Sequence, residues 1–170
     1  HRPASVTYEG DTFHFGLSVG LQNATSAGEL TLNTTDPHDQ PFLNYDFFSA
    51  DYDRKRMRGA LRMAATVAEH PAFAAHVVEQ LNPTKEVLAD DAKLDRWIMT
   101  NCYTQHHISG TCKMGPSSDP MAVVDQYGHV HGLEGLRVVD ASVMPDVIRA
   151  NTNATTIMIG ERVAAWIAEQ

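Results

Sequence analysis

The strongest constraint on this chain is a change of hydrophobic period at Ser49. Before it, apolar residues alternate. In residues 12–22, "TFHFGLSVGLQ", Phe13, Phe15, Leu17, Val19 and Leu21 fall on one face, with His14, Ser18 and Gln22 on the other. That spacing predicts a strand with one buried face. "GELTLNT" (28–34) alternates again and predicts a second strand, "TDPHDQP" (35–41) is a turn cluster, and "FLNYDF" (42–47) predicts a short strand. After Ser49 the period is helical. Met57, Leu61, Ala64, Ala65 and Ala68 recur on one face until His70–Pro71 ends the run. A short helix is expected over roughly 71–81. "DDAKLDRWIM" (90–99) then opens on a carboxylate cap and sets Leu94, Trp97 and Ile98 on one face of another helix.

The final third mixes both signals. "MAVVDQYGHVHG" (121–132) places two apolar runs around "DQYG" and predicts a hairpin. "LRVVDA" (136–141) is a compact apolar run ending in an acid, which predicts a buried strand with a loop at its carboxyl end. The polar cluster "ANTN" follows and opens a helix at about Ala154. The first amides of such a helix are unpaired and point back into the loop.

Bulk properties narrow the function classes. A length of 170 residues suffices for one domain with a core, and 43% apolar residues mark a globular chain. The formal charge of −8 argues against a nucleic-acid partner, since phosphate binding needs a basic face. The densest basic stretch, "DRKRMR" (53–58), is expected to be a solvated helix face. Cys102 and Cys112 form no disulfide framework, and reduced thiols favour a cytoplasmic location. No apolar run has the length of a membrane span. There is no signal peptide and no initiator methionine, so His1 reads as a place where a longer chain was cut.

One stretch concentrates reactive side chains: "TQHHISGTCKMG" (104–115). It admits three readings. A metal site would draw on His106, His107, His129 and His131 with Cys112, but no CxxC or HExxH spacing is present, and no metal is expected. Surface or interface positions are the better expectation for His129 and His131. A thiol nucleophile at Cys112 would want a helix amino terminus or an imidazolium beside it, and packing is the better expectation for both cysteines. The third reading is a histidine base with a hydrogen-bonding partner. The region "NTN" (151–153) could supply it, just before a helix start where polar side chains and free amides converge. A plain helix cap explains the same residues, and spacing alone leaves both open.

Three blocks resemble the carboxyl-terminal part of the glucose–methanol–choline (GMC) flavin oxidoreductases. "SAGELTLNTTDPHDQPFLNYDFFSADYD" resembles the family's "SRG-V-L-S-DP-P-NY-D" block. "HHISGTCKMGPSSDPMAVVDQYGHVHGLEGLRVVDASVMP" resembles its "HP-GTC-MG…AVVD…VHG-GLRV-DASVMP" block, and "NTNATTIMIGERVAAWI" its final segment. The match covers most of the chain from about residue 26, in the family's order. Two departures stand out: Ala27 where the family usually has arginine, and Ile108 where it usually has proline. No GxGxxG dinucleotide turn is present. In the family that motif lies near the start of a chain about three times longer.

The resemblance implies an α+β fold. A mostly antiparallel sheet with helices on one side would form part of a substrate domain over 1–132. A terminal strand, loop and helix of a Rossmann-like FAD-binding domain would occupy 133–170. It implies an enzyme that oxidises a small-molecule alcohol and passes hydride to flavin N5, with choline-dehydrogenase-like signatures. His107 corresponds to the family's active-site histidine and would take the hydroxyl proton. Asn153 falls on the second active-site position and would orient the substrate oxygen. Asp140 and Ala141 would contact FAD, and Ala154 and Thr155 would offer helix amides to the charge of reduced flavin. His106 would line the substrate pocket. The missing amino-terminal FAD-binding part would be the partner, and the fragment alone would be inactive. The competing expectation is a stand-alone, non-catalytic domain binding a partner or a metal through its histidines.

Overall fold

Helices carry most of the ordered backbone in this computed structural model, which describes residues 8–9, 12–13, 16–77 and 79–169. Strands β1 (Tyr8–Glu9) and β2 (Thr12–Phe13) pair antiparallel, as do β3 (Glu29–Thr31) and β4 (Phe42–Asn44). Four helices follow: α1 (Asp51–Ala68), α2 (Pro71–Ala74), α3 (Lys85–Ala89) and α4 (Asp91–Asn101). The last, α5, spans Asn153–Ala168. The α+β expectation holds in this coarse form. Among the described residues, however, the strands form two separate antiparallel pairs, not one mostly antiparallel sheet as expected.

The chain divides into two units, the first holding Thr25–Ala27 and Asp46–Tyr103 with the stretch up to Leu21. Its core is Phe48, Leu61, Leu88, Leu94 and Ile98, with Leu94 fully buried. Each such side chain stabilises the fold by about 1.5–3 kcal/mol. The helix starts follow local chemistry. Thr84 caps α3 and Asp90 caps α4 through its carboxylate to Lys93 N–H at 2.9 Å. The His70 ring caps α2, and Pro71 stands at its first position. That helix is one turn long, where a helix to about residue 81 was expected. Its ladder tightens to i−3 bonds at His76 and Val77, which ends it.

Two further expectations change in this unit. The strand foreseen over 12–22 is present only at Thr12–Phe13. His14 and Phe15 lie outside the described residues, and 16–22 form no strand. Val19 and Leu21 pack on the helical core instead, so their alternation is satisfied without a partner strand. The basic run of α1 is also more than a solvated face. Arg58, 17% exposed, bonds both carboxylate oxygens of Asp95 at 2.8 Å, and Arg62 bonds Asp91 at 2.6 Å and the Leu88 carbonyl at 2.9 Å. These arginines tie α1 to α3 and α4.

The second unit holds Gln22–Ala24, Gly28–Tyr45 and Thr104–Gln170. The β3–β4 pair sets Glu29 opposite Asn44 and Thr31 opposite Phe42, joined through the expected turn cluster. The hairpin around "DQYG" is also present. Val124 pairs antiparallel with Val130, and Gly128, at φ 80°, closes the turn with a bond from its N–H to the Asp125 carbonyl. The run "LRVVDA" differs from expectation. It forms no continuous strand; instead Val130 N–H bonds the Leu136 carbonyl and Val138 N–H bonds the Gly128 carbonyl, flanking an antiparallel His129–Arg137 bridge. Among the described residues no parallel strand lies beside it, so the run makes one short antiparallel edge.

Candidate active site

The strip that follows His107, residues 110–115, is pinned along both edges. On one side the N–H groups of Gly110, Cys112 and Met114 bond the carbonyls of Ala141, Ser142 and Val143 at 3.4, 3.0 and 2.9 Å. Every second amide is used, as a period of two requires. Residues Ala141–Val143 form a single 3-10 turn that presents three successive carbonyls. On the other side Val123 N–H bonds the Lys113 carbonyl and Gly115 N–H bonds the Val124 carbonyl, at 3.0 and 2.9 Å. Val124, itself part of this ladder, is fully buried. The histidine loop therefore emerges from a fixed strip of backbone.

The two adjacent histidines diverge. His106 sits at φ 62°, in the left-handed region, which histidine enters more readily than most residues. It is exposed, and its N–H bonds Thr104 Oγ1 at 3.0 Å. His107 is half-buried, and its Nδ1 lies 3.1 Å from Thr152 Oγ1. Thr152 is the residue the sequence reading missed. Thr152 lies inside "NTN", but its pairing with His107, 45 residues away, leaves no local signal.

Helix α5 begins at Asn153, one residue earlier than expected. Thr152 precedes it in helical geometry (φ −74°, ψ −17°) and makes no side-chain cap. Asn153 and Ala154 are exposed and Thr155 is half-buried. The first turn holds no acidic side chain, so its free N–H groups and the positive end of the helix dipole are not neutralised there. At the far end of α5, Trp166 meets Tyr127 edge-to-face at 5.0 Å and stacks under Arg162 at 4.9 Å. This fastens the helix to the hairpin turn.

Asp140 is engaged locally. Its Oδ1 accepts from Ser142 N–H at 2.8 Å and from Ser142 Oγ at 2.5 Å, which caps the 3-10 turn. Ala141, through its carbonyl, anchors Gly110. His107 and Thr152 are thus brought together, Asn153 adjoins them in sequence, and Asp140–Ala141 support the strip from which His107 emerges.

His129 and His131 have structural partners. Asp125 Oδ2 lies 3.0 Å from His129 Nδ1, and its Oδ1 accepts the N–H groups of Tyr127 and His129. Burial pushes the Asp125 carboxyl up, but these bonds outweigh it and hold it below the ordinary carboxylate range. His131 Nε2 lies 3.0 Å from the Gly115 carbonyl. Among the described residues no three His, Cys, Asp or Glu side chains gather as metal ligands would. Both cysteines are free and half-buried, and burial pushes the Cys102 thiol up, away from thiolate chemistry. No helix among the described residues is long and apolar enough to cross a membrane.

Comparison with known proteins relates the chain to a family. A family model described as GMC oxidoreductase matches residues 24–160. The oxygen-dependent choline dehydrogenase of Escherichia coli is 39% identical over 172 aligned residues, covering 99% of this chain and 30% of the relative. That of Cronobacter sakazakii is 40% identical over 166, covering 95% and 29%. Among solved structures, pyridoxine 4-oxidase from Mesorbium loti superposes with a TM-score of 0.79 at 30% identity, over 88% of this chain and 28% of its own. Formate oxidase from Aspergillus oryzae RIB40, a protein subject to FAD modification, superposes with a TM-score of 0.76 at 33% identity, over 86% and 26%. The chain spans about 30% of the length of the curated relatives it matches.

Proposed function

The chain belongs to the GMC oxidoreductase family, and from that premise we propose that it is the carboxyl-terminal part of an FAD-dependent, choline-dehydrogenase-like enzyme that oxidises an alcohol. The observation that carries this reading is the held imidazole of His107. A base for an alcohol must titrate near neutrality and sit within hydrogen-bond reach of the hydroxyl. His107 supplies an imidazole just ahead of a pinned backbone strip, with its Nδ1 3.1 Å from the Thr152 hydroxyl and Asn153 following Thr152 in the chain.

When bound, FAD would supply the acceptor for the hydride leaving the alcohol carbon. The chain's own residues do the rest. His107 takes the hydroxyl proton as the carbon–hydrogen bond breaks. The Asn153 amide orients the substrate oxygen by hydrogen bonding and cannot take its proton. Exposed His106 would form part of the wall against the substrate. The fit to FAD rests on the start of α5, where Ala154 and Thr155 stand in a first turn free of acidic side chains and of a side-chain cap. Such amides and the helix dipole suit the negative charge of a reduced flavin. Asp140 and Ala141 would face the cofactor from the turn they already brace.

The partner in this reading is the amino-terminal FAD-binding part, and residues 133–170 would be the strand, loop and helix that complete that Rossmann-like domain. Support comes from apolar surface that needs cover. Ile157 and Met158, in the second turn of α5, are 57% and 55% exposed. The short edge made by Leu136–Val138 would gain a neighbouring strand in the same way.

The test is anaerobic reduction of the complete flavoprotein by alcohols, with choline tried first. Bleaching of the flavin absorbance by an alcohol is the expected result. A fully loaded flavoprotein that no alcohol reduces would overturn the reading.

A further inference from the structure

We infer that Thr152 is the positioning residue for His107: its hydroxyl accepts from Nδ1–H and so leaves the Nε2 lone pair free to take a proton. This rests on the reading of His107 as the base. Two independent features single out the Thr152 hydroxyl. The residue is only 8% exposed, so its hydroxyl needs a partner inside the protein. A threonine just before a helix ordinarily turns its oxygen onto an amide of the first turn. Here it does not. Its backbone is already helical, its own carbonyl receives Thr156 N–H and Thr156 Oγ1, both at 2.9 Å, and its hydroxyl points to the His107 ring at 3.1 Å.

A neutral imidazole carries one N–H, and the bond made by one ring nitrogen decides which nitrogen keeps the proton. A hydroxyl has two lone pairs and can accept from Nδ1–H without losing its own hydrogen. In that state Nε2 is bare and can receive the alcohol proton. The opposite polarity would place the proton on Nε2 and block it. Thr152 is the group hydrogen-bonded to the ring among the described residues, so the polarity of that one bond sets the tautomer. A hydroxyl, unlike a carboxylate, adds no negative charge beside the imidazole. The base is oriented without an anion next to the negative charge that reduced flavin would carry.

The test reads the tautomer directly. In the complete protein with 15N-labelled histidine, at a pH above the ordinary imidazole pKa of about 6.5, His107 is expected to carry its proton on Nδ1. A His107→Gln variant identifies the signal. Thr152→Val, which keeps the shape and removes the hydroxyl, is expected to move the population towards Nε2–H, and Thr152→Ser to restore it. The rate of flavin reduction is expected to fall about tenfold in Thr152→Val and to recover in Thr152→Ser. A proton on Nε2 in the unaltered protein, or an unchanged tautomer in Thr152→Val, would overturn the inference whatever His107 contributes. Spectra as expected, with flavin reduction intact in His107→Ala, would instead remove the base reading and leave the placement of Thr152 standing.

Discussion

His107 Nδ1 and Thr152 Oγ1 meet at 3.1 Å across 45 residues of sequence, and that contact fixes where the candidate site lies. It joins the end of an irregular loop to the start of α5. Both sides are held by contacts that do not involve the reactive side chains. The 110–114 strip is laddered onto 141–143, and α5 is fastened at its far end through Trp166. The imidazole, the Asn153 amide and the first turn of α5 are thus fixed within one unit of the chain.

Asn153 is the first residue of α5, and the helix start has no side-chain cap. Its role can therefore be separated from helix capping. Asn153→Ala in the complete enzyme is expected to weaken both substrate affinity and flavin reduction, each by about tenfold for one lost hydrogen bond. The thermal midpoint should stay within experimental scatter. A lowered midpoint with unchanged kinetics would make Asn153 a structural residue only.

Asp53 is the buried carboxylate on which the first unit depends. It is 1% exposed and accepts from Thr25 N–H at 2.9 Å and from Ser26 N–H and Oγ, each at 2.7 Å. Burial pushes its carboxyl up, but the Ser26 and Thr25 bonds outweigh that and hold it below the usual range. A carboxylate with a depressed folded pKa stabilises the protein fully above its unfolded value of about 3.9. That contribution is lost as pH falls through the folded value. Asp53→Asn is expected to cost about 2–3 kcal/mol at pH 7. It should also flatten the acid limb of the stability profile. Urea titrations of both proteins from pH 7 down to pH 3 would measure the two effects together.

Gly28 lies where two backbones approach closely. A Cβ built there would stand 1.9 Å from the Asn44 carbonyl oxygen, and that oxygen cannot retreat without opening the β3–β4 pair. Gly28→Ala is expected to lower stability by at least about 1–3 kcal/mol. Amide exchange across Glu29–Thr31 should quicken. Unaltered protection of those amides would contradict the close approach.

How legible all this was in the sequence depended on whether a signal was local. The α1 and α4 helices, the "DQYG" hairpin and the β3–β4 turn were readable because their periodicity and caps lie within a few residues. Val19 and Leu21 misled because alternation records which side chains are buried, not whether a second strand does the burying. "LRVVDA" misled in the same way, since a buried strand needs neighbours that the described residues do not place beside it. His107 was found through its resemblance block. Thr152 was missed because its hydroxyl is defined by a partner 45 residues away, a relation no local pattern contains.

The 170-residue chain by itself is expected to bind no flavin. It holds no GxGxxG turn, and the groups assigned to FAD are helix amides and one locally engaged carboxylate. Purified alone from cells supplied with riboflavin, it is expected to be colourless. Stoichiometric flavin absorbance in that preparation would mean that the chain carries cofactor contacts beyond those assigned to it.

The most direct test of the central claim is the rate of flavin reduction in His107→Ala of the complete enzyme, followed anaerobically after rapid mixing with the alcohol. A general base contributes roughly a hundred- to ten-thousandfold. The account predicts a loss in that range at neutral pH, with FAD still bound. Reduction at a near-normal rate would contradict the role assigned to His107.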